Sequence, residues 1–211
     1  MTNAIILAAG LGSRLSPLTK DKPKSLIEFA KKTLLDRIIE IFRKYGIDDI
    51  SIVTGYKKEK INLPNITYFE NKNYRENSTL SSLFCAQKKI SESTIITYSD
   101  IIFQENILEK LLNADYDISA VVDRKWIDYW KFRTGESIHD ATETAIFNEK
   151  NMIISIGEKN PHANGHFIGL MKLQNTGSEK FQEIYFKTRQ NCINNKNELN
   201  KNLSFEKLRI V

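Results

Sequence analysis

Cysteine is almost missing from this chain of 211 residues: Cys85 and Cys192 are the only two. They stand far apart and match no metal-binding or redox spacing, which points to a reduced, cytoplasmic protein. Cys85, within Leu83-Phe84-Cys85-Ala86, is expected as a buried helix residue. Histidine is nearly as scarce, and the spacing of His139, His162 and His166 makes no zinc site; they are read as lid or loop residues. No apolar run approaches the roughly 18 residues of a membrane span. Met1-Thr2-Asn3 runs straight into an apolar stretch, so no signal peptide is expected. There is no concentrated charge either. Lysine and arginine outnumber the acids by 31 to 26, a net charge of +5. The lysines are scattered and often sit beside acids, as in Lys57-Lys58-Glu59-Lys60, which argues against a nucleic-acid face. A modest positive bias suits a pocket for small phosphorylated molecules.

What is present is an alternation of short apolar runs with helical patterns. Strands are expected at Ala4 to Leu7, Ile50 to Thr54, Ile66 to Phe69, Ser93 to Tyr98 and Ile118 to Val122. The last is almost continuously apolar, as a doubly covered central strand would be. Helices are expected at Leu34 to Tyr45, closed by Gly46, at Lys57 to Ile61 (short), at Thr79 to Lys89 after polar Asn77 and Ser78, and at Ile107 to Leu112. Beyond Asp123 the rhythm changes. A hairpin, Thr144 to Asn148 with Met152 to Ile156, is followed by a strand over Phe167 to Leu173 and a helix over Glu179 to Thr188. Gln190 to Asn202, rich in Asn and Lys, reads as a loop, and Phe205 to Ile210 as the start of a helix. The pattern predicts an α/β fold: a doubly wound, mostly parallel, Rossmann-like sheet with a small β-rich lid. We read 1–211 as a single domain, with the parallel sheet in one half, 1–122, and a lid over the carboxyl ends of its strands in the other, 123–211.

The most informative stretch follows the first strand. Gly10 and Gly12 permit a sharp turn and a close approach to a ligand. Ser13, Arg14, Lys22 and Lys24 bring donors and positive charge to the same turn. A glycine turn after a strand, ringed by cations, can hold a triphosphate. Position 15 is Leu, so the dinucleotide fingerprint is incomplete, and the Gly-Lys-Ser/Thr of a Walker loop is missing. Tyr98-Ser99-Asp100 ends the fourth strand, at the sheet edge where open α/β folds bind ligands. An Asp there can hold Mg²⁺ between triphosphate oxygens. Taken alone, an Asp after an apolar run is more often a helix cap or turn residue; the glycine loop upstream favours the metal.

The whole pattern, Leu7-Ala8-Ala9-Gly10-Leu11-Gly12-Ser13-Arg14-Leu15-Ser16-Pro17-Leu18-Thr19 followed by Lys22-Pro23-Lys24-Ser25-Leu26, closely resembles the signature of nucleotidyltransferases that make sugar nucleotides and CDP-activated compounds. The resemblance implies a nucleotide site at Leu7, Ala8, Ala9, Gly10, Gly12 and Ser13, with Arg14 and Lys24 as catalytic cations and Asp100 as metal ligand. Lys24 would sit on the α-phosphate. In Ile156-Gly157-Glu158-Lys159, Lys159 matches a cation that meets the acceptor phosphate, although a hairpin-end lysine in solvent reads the same way. Gly169, in Phe167-Ile168-Gly169-Leu170, would let backbone approach the acceptor.

Asn73 to Leu83 looks like the CTP-using branch, the phosphocholine and 2-aminoethylphosphonate cytidylyltransferases. Asn77, Ser78 and Ser82 would then meet a pyrimidine edge; as plain structure they are a helix start with its caps. Trp126 and Trp130, four apart on one helical face, with Arg133 after them, could cage an acceptor ammonium or could pack the lid against the core. A narrower resemblance is to the CTP:phosphoglutamine cytidylyltransferases of capsular phosphoramidate biosynthesis. Such an acceptor carries a carboxylate and an amine, for which Arg133, Lys131 and Glu136 are natural partners. The resemblance therefore implies transfer of CMP from CTP, with Mg²⁺, to a small phosphorylated acceptor, without nucleic acid or membrane. Oligomeric state is not readable. Sugar-1-phosphate transfer with UTP, dTTP or GTP, or non-catalytic nucleotide binding, are the alternatives. One departure stands out: these enzymes carry a second acidic metal ligand near their C-terminus, in a Glu-Ile-Asp type strand that this chain lacks before Val211. The chain is expected to be trimmed at that end, with metal binding and turnover weakened and the CTP pocket retained.

Overall fold

The computed structural model describes residues 1–76, 78–132, 141, 143–157, 160 and 162–194. β1 (Asn3–Ala8) is buried along its whole length. Successive side chains point to opposite faces of a strand, and both faces are covered. Ala4, Ile6 and Ala8 join one core, Ile5 and Leu7 the other.

β1 lies between β4 (Ile50–Thr54) and β6 (Ser93–Tyr98), parallel to both, with Ile6 opposite Ile52 on one side and Thr97 on the other. β5 (Thr67–Glu70) extends the parallel block beyond β4. On the other side β10 (Gly165–Gln174) runs antiparallel to β6, with Leu170 opposite Thr97. The far edge of β10 carries β7 (Ile118–Asp123) along most of its length and β8 (Thr144–Phe147) at its start, and β9 (Ile153–Ile156) pairs with β8. The result is one eight-stranded, mixed but largely parallel sheet. A small hairpin, β2 (Glu28–Phe29) with β3 (Lys32–Thr33), stands apart from it.

Helices cover both faces, as the alternating pattern requires. α1 (Leu34–Lys44) begins at Thr33, whose hydroxyl accepts from the Asp36 amide at 3.0 Å. It buries Leu34, Leu35, Ile38, Ile39 and Phe42, and Gly46 at φ 73° closes it. Burying a side chain such as Phe42 contributes roughly 1.5–3 kcal/mol. α3 (Glu105–Leu112) adds Leu108 and Leu111 to the same core. On the other face lie α2 (Thr79–Cys85) and α5 (Thr176–Asn194), with Leu80, Leu83, Phe181 and Tyr185. The wholly buried Lys172 of β10 donates to the carbonyls of Leu112, at 2.9 Å, and Ala114, fastening the end of α3 to the sheet. Burial pushes its ammonium pKa down, while nearby Asp115 acts in the opposite direction.

Four expectations need correction. Residues 118–123 are no doubly covered central strand: among the described residues β7 pairs only with β10, and it is half-buried throughout. Cys85 ends α2 exposed, with its thiol directed back to the Ser81 carbonyl. His166 is a strand residue within β10. α5 runs on to Asn194, so residues 190–194 are helix, an unbroken extension of the turns that pack Phe181, Tyr185 and Phe186 against Phe84. The remainder of the expected loop, the expected helix at 205–210 and His139 lie outside the described residues.

Candidate active site

Parallel strands bring their carboxyl ends to one edge, and the chain leaves β1, β4 and β6 there. After β1 the backbone turns at Gly10 and Gly12. Gly12 adopts φ 63°, a left-handed conformation in which a side chain is strained. A Cβ there would also stand 3.0 Å from the Lys24 Cβ and 3.0 Å from the Thr19 Cγ2. Gly10 is different: it is exposed, and a Cβ would meet nothing within 4 Å, so this side of the turn is open to a ligand. Ser13–Leu15 then form one 3₁₀ turn, in which the Leu15 amide bonds back to the Gly12 carbonyl at 3.0 Å. Among the described residues, the amides from Gly10 to Arg14 donate to no backbone carbonyl, which leaves them free for an anion. The side chains of Leu7, Ala8 and Ala9 are buried. Any contact they make with a ligand therefore runs through backbone.

The turn is held from behind. The Ala9 carbonyl accepts from the Tyr56 amide at 3.1 Å, and the Tyr56 hydroxyl donates to the carbonyls of Thr19, at 3.1 Å, and Lys20, at 2.8 Å. Gly55 makes this possible: a Cβ on it would lie 2.7 Å from the Ala9 oxygen and 2.8 Å from the Tyr74 Cβ. Sequence reasoning missed this support, although a glycine directly after a buried strand was its signal.

The second 3₁₀ turn, Lys24–Leu26, points Lys24 at the end of β6, where its ammonium donates to Asp100 Oδ2 in an ion pair. Gly12, Lys24 and Asp100, drawn from three separate parts of the chain, thus meet at one edge of the sheet. Arg14 is exposed and Lys22 half-buried; among the described residues neither pairs with a carboxylate. The Lys24–Asp100 pair is partly open to solvent, at 35% and 28% of the side chains, so it contributes about 1 kcal/mol or less. A multiply charged anion entering the turn can displace it.

Other expected site residues are committed to packing. Ser78 caps α2, accepting from the Ser81 amide at 3.2 Å. Ser82 is buried, and its hydroxyl accepts from Asn71 Nδ2 at 2.8 Å, so it is not free to read a base. Trp126 and Trp130 are 5% and 6% exposed, edge to face at 6.1 Å with His166 against both rings. They join Ala141 and Ala163 in a small core, which makes them a packed pair and not an open cage for an ammonium. Gly169, at φ 84°, opens onto the protein and not onto a ligand: a Cβ would lie 2.2 Å from Tyr98 Cδ2. Gly169→Ala is expected to cost about 2–3 kcal/mol, seen as a fall in Tm of roughly 5–10 °C. An unchanged Tm would show that β10 can draw back from the ring. Asn77, Arg133, Glu136 and Lys159 lie outside the described residues. A separate groove between the β2–β3 hairpin and α1 carries Glu28, Lys31, Lys32, Asp36, Glu40 and Arg43. Its charges are of both signs and partly paired, as in Lys32–Glu40, so it does not suit a phosphate.

A family model described as MobA-like NTP transferase domain matches residues 4–149. The CTP:phosphoglutamine cytidylyltransferase of Campylobacter jejuni is 37% identical over 187 residues, 81% of this chain and 72% of that protein. The 2-aminoethylphosphonate cytidylyltransferase of Lancefieldella rimae is 36% identical over 163 residues, 74% of this chain and 61% of that protein. This chain thus spans less than two thirds of the second relative's length. A solved structure of CTP:phosphocholine cytidylyltransferase from Streptococcus pneumoniae has a TM-score of 0.66 at 21% identity, over 94% of this chain and 80% of that one, a likeness of fold. With a glycine turn, a lysine and a strand-end aspartate meeting at one sheet edge, and with these matches, the chain belongs to the MobA-like NTP transferase family.

Proposed function

We propose that this protein transfers CMP from CTP to a small phosphorylated or phosphoramidate acceptor and releases pyrophosphate. The observation that carries the reading is the meeting of the Gly10–Arg14 turn, Lys24 and Asp100; the choice of CTP follows the names of the relatives. Phosphoglutamine is the first acceptor to try, ahead of 2-aminoethylphosphonate and phosphocholine, because the relative named for it matches a larger share of this chain than the relatives named for those two. The enzyme would work in the cytoplasm, in the assembly of a capsular phosphoramidate.

An oxygen of the acceptor phosphate attacks the α-phosphorus of CTP in line, and pyrophosphate leaves. The attacking oxygen is already anionic, so no strong base is needed, and catalysis is positioning plus charge neutralisation. The free amides of the turn and Arg14 hold the β- and γ-phosphates. Lys24 leaves Asp100 for the α-phosphate, where negative charge gathers in the transition state, and the same movement bares the carboxylate. Asp100 suits Mg²⁺, an ion that keeps most of its waters and binds through one or two carboxylates plus substrate phosphates; bound there, it would neutralise phosphate charge. With Ser78 and Ser82 held in the α2 packing, Asn77 is left to the base side, and Lys159 and Arg133 to the acceptor. CTP and UTP, each with phosphoglutamine, phosphocholine, 2-aminoethylphosphonate and glucose-1-phosphate, followed by phosphorus NMR, test the reading. The expected outcome is a CDP-linked product and pyrophosphate from CTP with one of the first three. No pyrophosphate from CTP with any acceptor, or product only from UTP and glucose-1-phosphate, would refute it.

A further inference from the structure

Tyr98 ends β6, two residues before Asp100, and its amide neighbour Ser99 donates to the Leu7 carbonyl at 3.2 Å, at the root of the glycine turn. Its ring is enclosed. One face lies against the Gly169 backbone, which has no room for a Cβ, and Phe167 meets the ring edge to face at 6.1 Å. The strand carrying both residues is irregular at this point, its register with β7 shifting between Phe167 and Met171. The Tyr98 hydroxyl reaches past β10 and donates to Glu143 Oε1. Glu143 is itself unusual. It holds a left-handed φ of 63° without being glycine, and its carbonyl accepts from the Phe167 amide at 2.8 Å. It directly precedes β8, the strand that opens the acceptor-side hairpin. A strained backbone position costs about 1–3 kcal/mol and persists where the surroundings fix it.

We infer that Tyr98 and Glu143 form a positioning latch, which sets the acceptor-side strands β8 to β10 against the strand end that carries Asp100. The inference rests on the transferase reading above. The reasoning is geometric. The triphosphate turn hangs on β1 and β6, whereas the acceptor side hangs on β10 and β8. Beside the β6–β10 ladder, the Tyr98–Glu143 bond is a side-chain bond that joins the strand end at Asp100 to the start of β8. In-line transfer is sensitive to small displacements between the two reacting groups, so a contact that fixes their separation acts on acceptor use before it acts on CTP.

The test is a cycle of Tyr98→Phe, Glu143→Ala and the double variant, with Glu143→Gln as the conservative change. Steady-state KM is measured for CTP and for the acceptor, together with Tm. Tyr98→Phe and Glu143→Ala are each expected to raise the acceptor KM about tenfold, the scale of one hydrogen bond to a charged group, with the CTP KM held within about twofold. The double variant is expected to be no worse than either single one. Glu143→Gln, which keeps an accepting oxygen, is expected to stay within about threefold of the unmodified protein. An unchanged acceptor KM in Tyr98→Phe, or an equal rise in both KM values accompanied by a fall in Tm, would overturn the latch. If the unmodified protein transfers to no acceptor, the transferase reading has failed, and hydrogen exchange decides on the latch alone. Faster exchange of the β8 and β10 amides in Tyr98→Phe supports it, and an unchanged pattern overturns it.

Discussion

Lys24→Ala is expected to lower kcat for CTP-dependent transfer by roughly 10²-fold or more, the scale seen when one preorganised donor to a developing anion is lost. Without a ligand, the lysine has one described ionic partner. It is tied to Asp100 by a half-exposed ion pair that contributes about 1 kcal/mol or less, so its removal leaves the fold nearly untouched. Tm should move by no more than a few degrees. On the proposed mechanism the same ammonium would face, in the transition state, an α-phosphorus with two partial bonds to oxygen, where its charge would be worth far more than in the resting pair. Lys24→Arg keeps the charge but brings a planar, forked head in place of a compact one, and recovery should be partial. Pyrophosphate release measured beside thermal unfolding separates the two effects. Near-normal turnover in Lys24→Ala removes the lysine from the chemistry.

The glycine turn after β1 was far more legible in the sequence than the packing beyond Asp123, and the reason is the range of the interactions. Gly10, Gly12 and Arg14 lie within five residues of one another, and the strand before them is buried on both faces, so its apolar run is continuous and easily read. The boundaries of β4 and β6 were legible for the same reason. β7 shows the limit of that rule. Its run is equally apolar, yet among the described residues it has a single neighbour and stays half-buried, because strand order depends on contacts that no local pattern encodes. Spacing put Trp126 and Trp130 on one helical face but could not say whether that face looks outward. The structure turns it inward against His166 and Ala163. Ser82 likewise carries a hydroxyl that reads as a ligand donor until Asn71 is found bonded to it. The Tyr98–Glu143 bond was beyond sequence reasoning altogether. Its partners are 45 residues apart, and what brings them together is β10, which is made later in the chain than either.

Asp100→Asn should separate two roles that a single activity assay confounds. With metal present, kcat is expected to fall by about 10²–10³-fold, since a neutral amide is a poor substitute for a carboxylate as a hard-cation ligand and charge on the transferring group goes uncompensated. Without metal, the expected sign is reversed. On the proposed mechanism CTP would draw Lys24 away from Asp100, with which it is paired, and an asparagine there would hold the ammonium less tightly. Metal-free CTP binding should therefore be unchanged or tighter, by no more than about fivefold, the ceiling set by a pair contributing about 1 kcal/mol. Calorimetry in the presence of a chelator measures this second quantity, and turnover as a function of Mg²⁺ measures the first. If Asp100 were only a turn residue at the end of β6, the substitution would move Tm and leave the Mg²⁺ dependence of turnover where it was. If it were needed only to hold Lys24, Asp100→Asn and Lys24→Ala would fail alike in the chelated binding experiment. A collapse of turnover together with preserved or improved metal-free CTP binding is the outcome that a metal-bearing carboxylate, guarded by a lysine until the nucleotide arrives, alone produces.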